Sequence, residues 1–579
     1  MKISPKWFIP LAALGLAGML KHSLPKQLPG QLSYWLLQML NEQRKRHKDM
    51  DYIIFHLGGS LPALPSPMNW VERQIWGDPP LSLAEIDLAF RRIASDSRVK
   101  GVILYLTLPE LSLADIQTLR QSMGRLRQAG KRVLCYAANY DTYSYYLASA
   151  ADDILLQTGG NLLTIGLQSN VVFMRDALKT LGLEVDSIAI SPYKSALDTF
   201  TQQEISPEFQ SQLNWLLDSR YEQITQGLAQ GRQLSLEAAR AMLDKAPYLD
   251  HEALDQAYVD AVLNEEGLPD YLGSEHLLDW AEAEERVLLE THPPTEKVIA
   301  VLPLTGLIMD GESRPAPGGL PLPMAENNRM GSLTVIQQVR QLMEEDDVAA
   351  VVLYVDSRGG SATASEAMAS ALDELAKTRP VVVYMHEVAA SGGYYISTPA
   401  QWIVAQAGTL TGSIGVIMAK VVNQELLHKL QLNPVDFQRG ENAGLVAPSA
   451  PFTEDQRQQM RRGIERSYAQ FTDRVARSRH LSPEATEAVS AGRVWTGAQA
   501  LEHGLVDELG GLPQAIQKAR ELAHLPKHTP AILMRGKIQP LGPRVAEKAN
   551  PAAALLYFRE QAAAIYNGQA QYWLPWEWR

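Results

Sequence analysis

Three short motifs of this 579-residue chain hold the residues that could carry out chemistry. Ser391 lies in Ala389-Ala390-Ser391-Gly392-Gly393-Tyr394, directly behind an apolar run, so it would start a helix after a strand with two residues lacking side chains next to it. A serine so placed can attack a carbonyl while unobstructed backbone N–H groups receive the charge developing on the carbonyl oxygen. The same pattern also fits a serine that merely caps a helix, with glycines for close packing. Ser357-Arg358-Gly359-Gly360-Ser361 follows a second apolar run, and its glycine pair could turn N–H groups outward as an oxyanion nest or simply make a tight turn. Lys194, in Ser191-Pro192-Tyr193-Lys194-Ser195-Ala196, could act as a general base if burial pulled its pKa toward neutrality, whereas an exposed lysine could not. His386, five residues before Ser391, is too near in sequence to be assigned as the base. No His-Glu-x-x-His spacing occurs and the Gly-x-Ser-x-Gly elbow is absent around Ser391, so neither a metal nor a cofactor is expected.

The elements that must position these residues come as the same design twice. Gly101-Val-Ile-Leu-Tyr105 matches Ala350-Val-Val-Leu-Tyr354, Tyr145-Tyr146 matches Tyr394-Tyr395, and Thr164-Ile165-Gly166 matches Ser413-Ile414-Gly415, all at an offset of 249. The match continues at 247 through Tyr221 with Tyr468 and Val259-Asp260 with Val506-Asp507. Within each copy, short Val/Ile/Leu runs (Tyr52–Leu57, Val99–Leu106 and Arg132–Tyr136; Val298–Leu304, Ala349–Val355 and Val381–Tyr384) alternate with amphipathic stretches. The stretches are Leu83–Ser95 and Leu113–Gln128 in the first copy, and Leu333–Glu344 and Ala364–Lys377 in the second. This alternation predicts an α/β fold with covered parallel sheets. Ser82-x-x-Glu85 and Ser112-x-x-Asp115 read as capping boxes. Each copy adds a helical region, Glu208–Gly231 and Glu454–Ser478, and Asp310–Gly331 reads as a mobile surface loop. The reactive residues are unequally shared: Ser391 and the glycine pair have no counterpart in the first copy, and Lys194 has none in the second.

Composition is that of a folded protein, with 46% hydrophobic and 20% charged residues. The net charge of −12 argues against nucleic acid as a partner, and the single Cys135 excludes an intrachain disulfide. Residues Trp7–Leu20 form an apolar run between Lys2/Lys6 and Lys21, short for a membrane span, and fit an uncleaved anchor, a cleaved signal or a buried helix. The following Leu32–Leu40 stretch, ending in Arg44-Lys45-Arg46 and Lys48, reads as an amphipathic helix with a basic end, either solvated or touching anionic lipid. Tyr572-Trp573 with Trp576 and Trp578 forms an aromatic C-terminus expected to pack against the body.

Tyr193-Lys-Ser-Ala196, Ser357-Arg-Gly-Gly-Ser361, Val388-Ala-Ala-Ser391-Gly-Gly-Tyr394 and Leu410-Thr-Gly-Ser413-Ile-Gly-Val416, in this order across the two copies, resemble the signal peptide peptidase A (protease IV) family in its long, duplicated form. The resemblance covers Asp51 to about Leu522. It implies two tandem Clp-protease/crotonase-like domains: residues 1–50 a targeting segment, 51–292 the repeat with the lysine, 293–525 the repeat with the serine, and 526–579 a tail. It further implies Ser391 as nucleophile and Lys194 as general base, Gly359 and Gly392 as oxyanion donors, and Ser413 as the group orienting the lysine. The implied setting is a membrane-anchored homotetramer on the bacterial inner membrane, its body in the periplasm, degrading signal-peptide remnants and other hydrophobic peptides without a cofactor. Arg358 replaces the proline usual in that loop, His386-Glu387 replaces the usual lead-in to the serine, and the anchor is short. A catalytically silent peptide-binding scaffold on the same fold is the alternative, with Arg358 as its warning sign; acyl-CoA chemistry is weaker, because it has no need of a lysine split from the serine.

Overall fold

A computed structural model describes residues 30–65, 79–315, 328–534 and 571–572. The expected anchor or signal at Trp7–Leu20 lies outside the described residues, as do Trp573, Trp576 and Trp578. Helix α1 (Gly30–Arg44) spans the expected amphipathic stretch. Of its basic end, Arg44 turns to protein, its guanidinium donating to the carbonyls of Glu284 (2.8 Å) and Val287 (2.5 Å), while Lys45, Arg46 and Lys48 are exposed. Among the described residues no helix is long and apolar enough to cross a membrane.

The first half is built on parallel strands β1 (Tyr52–Ser60), β2 (Gly101–Glu110), β3 (Arg132–Asp141) and β4 (Asp153–Leu163), arranged β4-β3-β2-β1. Helices α2 (Leu83–Ser95) and α3 (Leu113–Gln128) cross between them with the expected bounds. Both start in complete capping boxes: the Glu85 N–H donates to Ser82 Oγ (3.2 Å) while Glu85 Oε2 accepts the Ser82 N–H (2.9 Å). In β2, Val102 and Leu104 pack into one core and Ile103 and Tyr105 into another, so both faces are buried and the sequence reads as a continuous apolar run. Each such aliphatic side chain contributes roughly 1.5–3 kcal/mol by leaving water.

The chain next forms β5 (Glu184–Ile190) and the long helix α4 (Pro207–Gly231), and β5 does not join the first sheet. The second half repeats the first with β6 (Val298–Thr305), α5 (Ser332–Glu344), β7 (Val348–Ser357), β8 (Gly360–Ser361), α6 (Ala362–Thr378) and β9 (Val381–Ala390). Helix α7 (Gly392–Tyr395), β10 (Leu410–Gly412), β11 (Val416–Val422), α8 (Glu454–Arg479) and β12 (Val494–Thr496) follow. Its main sheet runs β12-β10-β9-β7-β6, with only the β10–β12 pairing antiparallel along this path. In β7, Val351, Leu353 and Val355 face one core and Ala350, Val352 and Tyr354 the other, as in β2. The structure is thus mixed α/β with a largely parallel sheet in each half.

Two features depart from the sequence reading. Strand β5 of the first half pairs antiparallel with β11 of the second, from Glu184 opposite Val422 to Ile190 opposite Val416, so the halves share a sheet. The Asp310–Gly331 stretch is not loop throughout: Arg314–Pro315 and Asn328–Gly331 pair antiparallel, which satisfies backbone groups an open loop would leave to water. Residues 316–327 between them lie outside the described residues. At the far end of the chain, Gln571–Tyr572 pair antiparallel with Gly360–Ser361, so this part of the C-terminus does meet the body.

Candidate active site

Strand β9 carries the buried residues Val388, Ala389 and Ala390 to Ser391, which occupies φ 56° and ψ −116°. A positive φ is unfavourable for a residue with a Cβ, and such strain persists only where neighbours fix the backbone. Here the Ser391 N–H donates to Gly412 O (2.8 Å) and Ser391 O accepts the Tyr395 N–H (2.9 Å). The result is a sharp strand-to-helix turn of the kind the Gly-x-Ser-x-Gly motif builds elsewhere, made without that motif. The Ser391 side chain caps nothing in α7, which removes the reading of a helix-capping serine. Its Oγ lies 2.7 Å from Lys194 Nζ.

The β5–β11 pairing delivers Lys194. Ile190 stands opposite Val416, so the loop leaving β5 meets the loop entering β11, where Ser413 sits. Lys194 Nζ donates to Ser413 O and Ser413 Oγ, both at 2.9 Å. The lysine is 2% exposed, which excludes the surface reading. Burial alone, with no carboxylate acting on it, pushes the amine well below its ordinary pKa. Space for its stem depends on Gly415, where an added Cβ would lie 3.2 Å from Lys194 Cδ, and its backbone is closed in by Gly492, where a Cβ would lie 2.5 Å from Lys194 N. An aromatic wall stands behind the loop: Tyr193 against Trp215 (5.5 Å between centroids), Trp215 stacked on Trp495 (5.3 Å) and the Arg493 guanidinium over Tyr193 (4.3 Å). Ser413 takes φ 53° and is held by its N–H to Arg493 O (2.6 Å).

Gly359 and Gly360 adopt φ 104° and 148°, a region in which side chains are strained. A Cβ on Gly392 would lie 2.7 Å from Ser365 Oγ and 3.1 Å from Gly359 Cα, so the two glycine motifs press together beside Ser391. Their amides are not equivalent. The Gly359 N–H donates to Ser357 Oγ (3.2 Å), whereas Gly392 opens α7, where an amide has no partner within the helix. Gly392→Ala should lower kcat/KM for peptide hydrolysis by about 10- to 100-fold, the scale expected when an oxyanion donor is displaced, with little change in the far-UV circular dichroism. Turnover within about twofold of the parent would show that the contact is absorbed without moving the amide.

His386 does not approach Ser391 as a base. Its Nε2 lies 2.9 Å from Oδ1 of Asp115 in α3 of the first half; burial opposes its charge, yet Asp115 holds its pKa well above the ordinary value. Glu387 is pushed up to about 7, first by burial and then by Asp356 and Asp115, with Arg358 and His386 opposing. Arg358, half-buried, thus acts on the carboxylates behind the loop. Trp215, Trp495 and Gly492, which seal the lysine, were not found from sequence; single aromatics within helical or strand patterns carry no mark of which distant loop they cover. Among the described residues no group of three or more His, Cys, Asp or Glu could hold a metal ion.

Comparison with known proteins fits this geometry. The family model "Peptidase family S49" matches residues 125–272 and 373–526, once in each half. The chain is similar to "Protease 4" of Salmonella typhi, 31% identical over 464 residues that cover 77% of this chain and 72% of that protein. It is also similar to "Serine protease SPPA, chloroplastic" of Arabidopsis thaliana, 28% identical over 77% of this chain and 66% of that protein. A "Protease 4" of Haemophilus influenzae is 28% identical over 77% of this chain and 73% of that protein. Two matches to one family model in tandem, with relatives whose similarity covers 77% of the chain, place the chain in peptidase family S49, and it is a serine protease.

Proposed function

We propose that this serine protease uses a Ser391/Lys194 dyad, split between two tandem Clp-protease/crotonase-like domains, to degrade cleaved signal peptides and other hydrophobic peptides. The observation that carries this reading is the 2.7 Å approach of a fully buried Lys194 Nζ to Ser391 Oγ. A neutral amine offers two N–H groups and one lone pair. With the N–H groups on Ser413 O and Oγ, the lone pair faces Ser391 and can take its proton as the oxygen attacks the peptide carbonyl. The carbonyl oxygen becomes an oxyanion supported by the Gly392 amide, and by the Gly359 amide once that turns from Ser357. The lysine then gives its proton to the departing amine, leaving an acyl-enzyme on Ser391. A water that Lys194 deprotonates resolves this ester and restores both residues.

The proposed setting is the bacterial inner membrane, with the body in the periplasm as a membrane-associated homotetramer. The relatives named Protease 4 are bacterial, which agrees with that setting. The substrate class is tested by kcat/KM for an apolar signal-type peptide against the same peptide with charged residues in its centre. A preference of about tenfold or more for the apolar peptide is expected, the discrimination that one well-buried side chain supplies. Equal values would remove hydrophobic peptides as the selected class.

A further inference from the structure

Both dyad residues sit on loops from different halves, so their 2.7 Å separation depends on what locks one loop to the other. Helix α4 of the first half presents Gln212, Trp215, Ser219 and Gln223 at helical spacing to the second half. The Trp215 indole donates to Val494 O (2.9 Å), Ser219 Oγ lies 2.7 Å from Thr496 Oγ1, and the Gln223 amide donates to Ala407 O (3.1 Å). Trp215 also meets the lysine loop, through the Tyr193 ring, but Gln212 alone of the four faces that loop's polar atoms. It is fully buried, and its Oε1 accepts the Val494 N–H (2.8 Å). Its Nε2 faces Tyr193 O (3.5 Å) and Ser195 Oγ (3.4 Å), the two residues flanking Lys194. Beyond Val494, Arg493 O accepts the Ser413 N–H (2.6 Å), and β12 pairs with β10, whose Gly412 O accepts the Ser391 N–H (2.8 Å). One buried amide therefore links the loop of Lys194 to the strand that fixes both Ser413 and Ser391.

We infer that Gln212 is a positioning residue for the reaction: it clamps the Lys194 loop of the first half to β12 of the second and thereby sets the reach of the amine to Ser391. This rests on the dyad reading. The titratable and charged groups around the loop are Arg493 over Tyr193, Asp198, whose N–H donates to Ser195 O (3.0 Å), Tyr468, whose hydroxyl receives the Ala491 N–H (3.1 Å), and His503 against Trp495 (4.2 Å). None of them is among the influences on Lys194, which is governed by burial alone. Release of the loop would admit water to the amine, so the amine would keep its proton to higher pH.

The test measures kcat and KM against pH for the full chain and for Gln212→Met, which keeps the volume and removes all three polar contacts, with Gln223→Met as a control on the same helix face. For Gln212→Met, which loses the contacts to Val494, Tyr193 and Ser195 together, we expect kcat to fall about tenfold or more with KM within about twofold, and the acid limb of kcat to move to higher pH. Gln223→Met should leave that limb in its original place. An unmoved limb in Gln212→Met, or equal movement in both variants, would overturn the inference by reducing Gln212 to an ordinary packing residue. A parent enzyme whose rate shows no acid limb would overturn the dyad reading itself. Should Gln212→Met not fold, Gln212→Asn, which keeps the amide but shortens its reach, is held to the same two outcomes.

Discussion

Ser391→Ala is expected to lower kcat for peptide hydrolysis by roughly 10⁵- to 10⁶-fold while leaving KM within a few-fold, the pattern seen when a serine nucleophile is removed. The size follows from what the hydroxyl does. Without Oγ no acyl-enzyme can form, and the remaining donors can assist only direct attack by water. The fold should tolerate the change well, because the side chain caps nothing in α7 and alanine fills nearly the same space. The strained backbone at φ 56° is held by Gly412 and Tyr395 through main-chain bonds, which the substitution leaves in place. Steady-state hydrolysis of a fluorogenic hydrophobic peptide reads the loss, and residual activity within tenfold of the parent would exclude Ser391 as the nucleophile.

Lys194→Met is the second large effect: kcat should fall by about 10³-fold or more, and the pH dependence should change with it. A lysine that serves as the proposed general base works as the neutral amine, so kcat/KM should rise with pH as it loses its proton. It should level off well below the ordinary lysine pKa of 10.5, because burial has pushed the folded value down. Methionine has no proton to lose, so that limb should vanish. Stability follows pH in the same direction as activity. The unfolded chain binds a proton at lysine up to its ordinary pKa, whereas the folded chain releases it at a lower pH. Between those two values the unfolded state therefore holds more protons, and stability rises with pH. Below the folded value the lysine is charged in both states, and the full cost of burying that charge is present. Lys194→Met removes this cost, so the variant should unfold at a higher temperature than the parent near neutral pH while being nearly inactive. A less stable variant would mean that the contacts to Ser413 outweigh the burial of the amine.

Much of the site was legible because each motif carries a local backbone requirement. Gly359-Gly360 and Gly392-Gly393 stand where positive φ or close packing leaves no room for a Cβ, and their absence from the first copy marked the second as the reactive one. The bounds of α2 and α3 were readable from capping serines, since a cap is a short-range bond between neighbours in sequence. What joins Lys194 to Ser391 was not readable. The pairing of β5 with β11 depends on a shared sheet edge, and either strand alone would fit its own copy equally well. Likewise Trp215 and Gln212 look like ordinary members of a long helix until β12 is placed against them. The strain at Ser391 also escaped, because it arises from the meeting of β9, α7 and β10 rather than from a glycine.

The most direct measurement of the central claim is the rate at which Ser391 is acylated by an activated hydrophobic ester, followed by mass spectrometry as pH is varied, in the parent and in Lys194→Met. A lysine that takes the serine proton predicts one acyl group, on the peptide containing Ser391. It also predicts a rate that rises through an acid limb well below the ordinary lysine range, and a loss of about 10³-fold or more in Lys194→Met. Acylation at another residue, or at Ser391 with the same rate and pH profile in both proteins, would contradict the dyad.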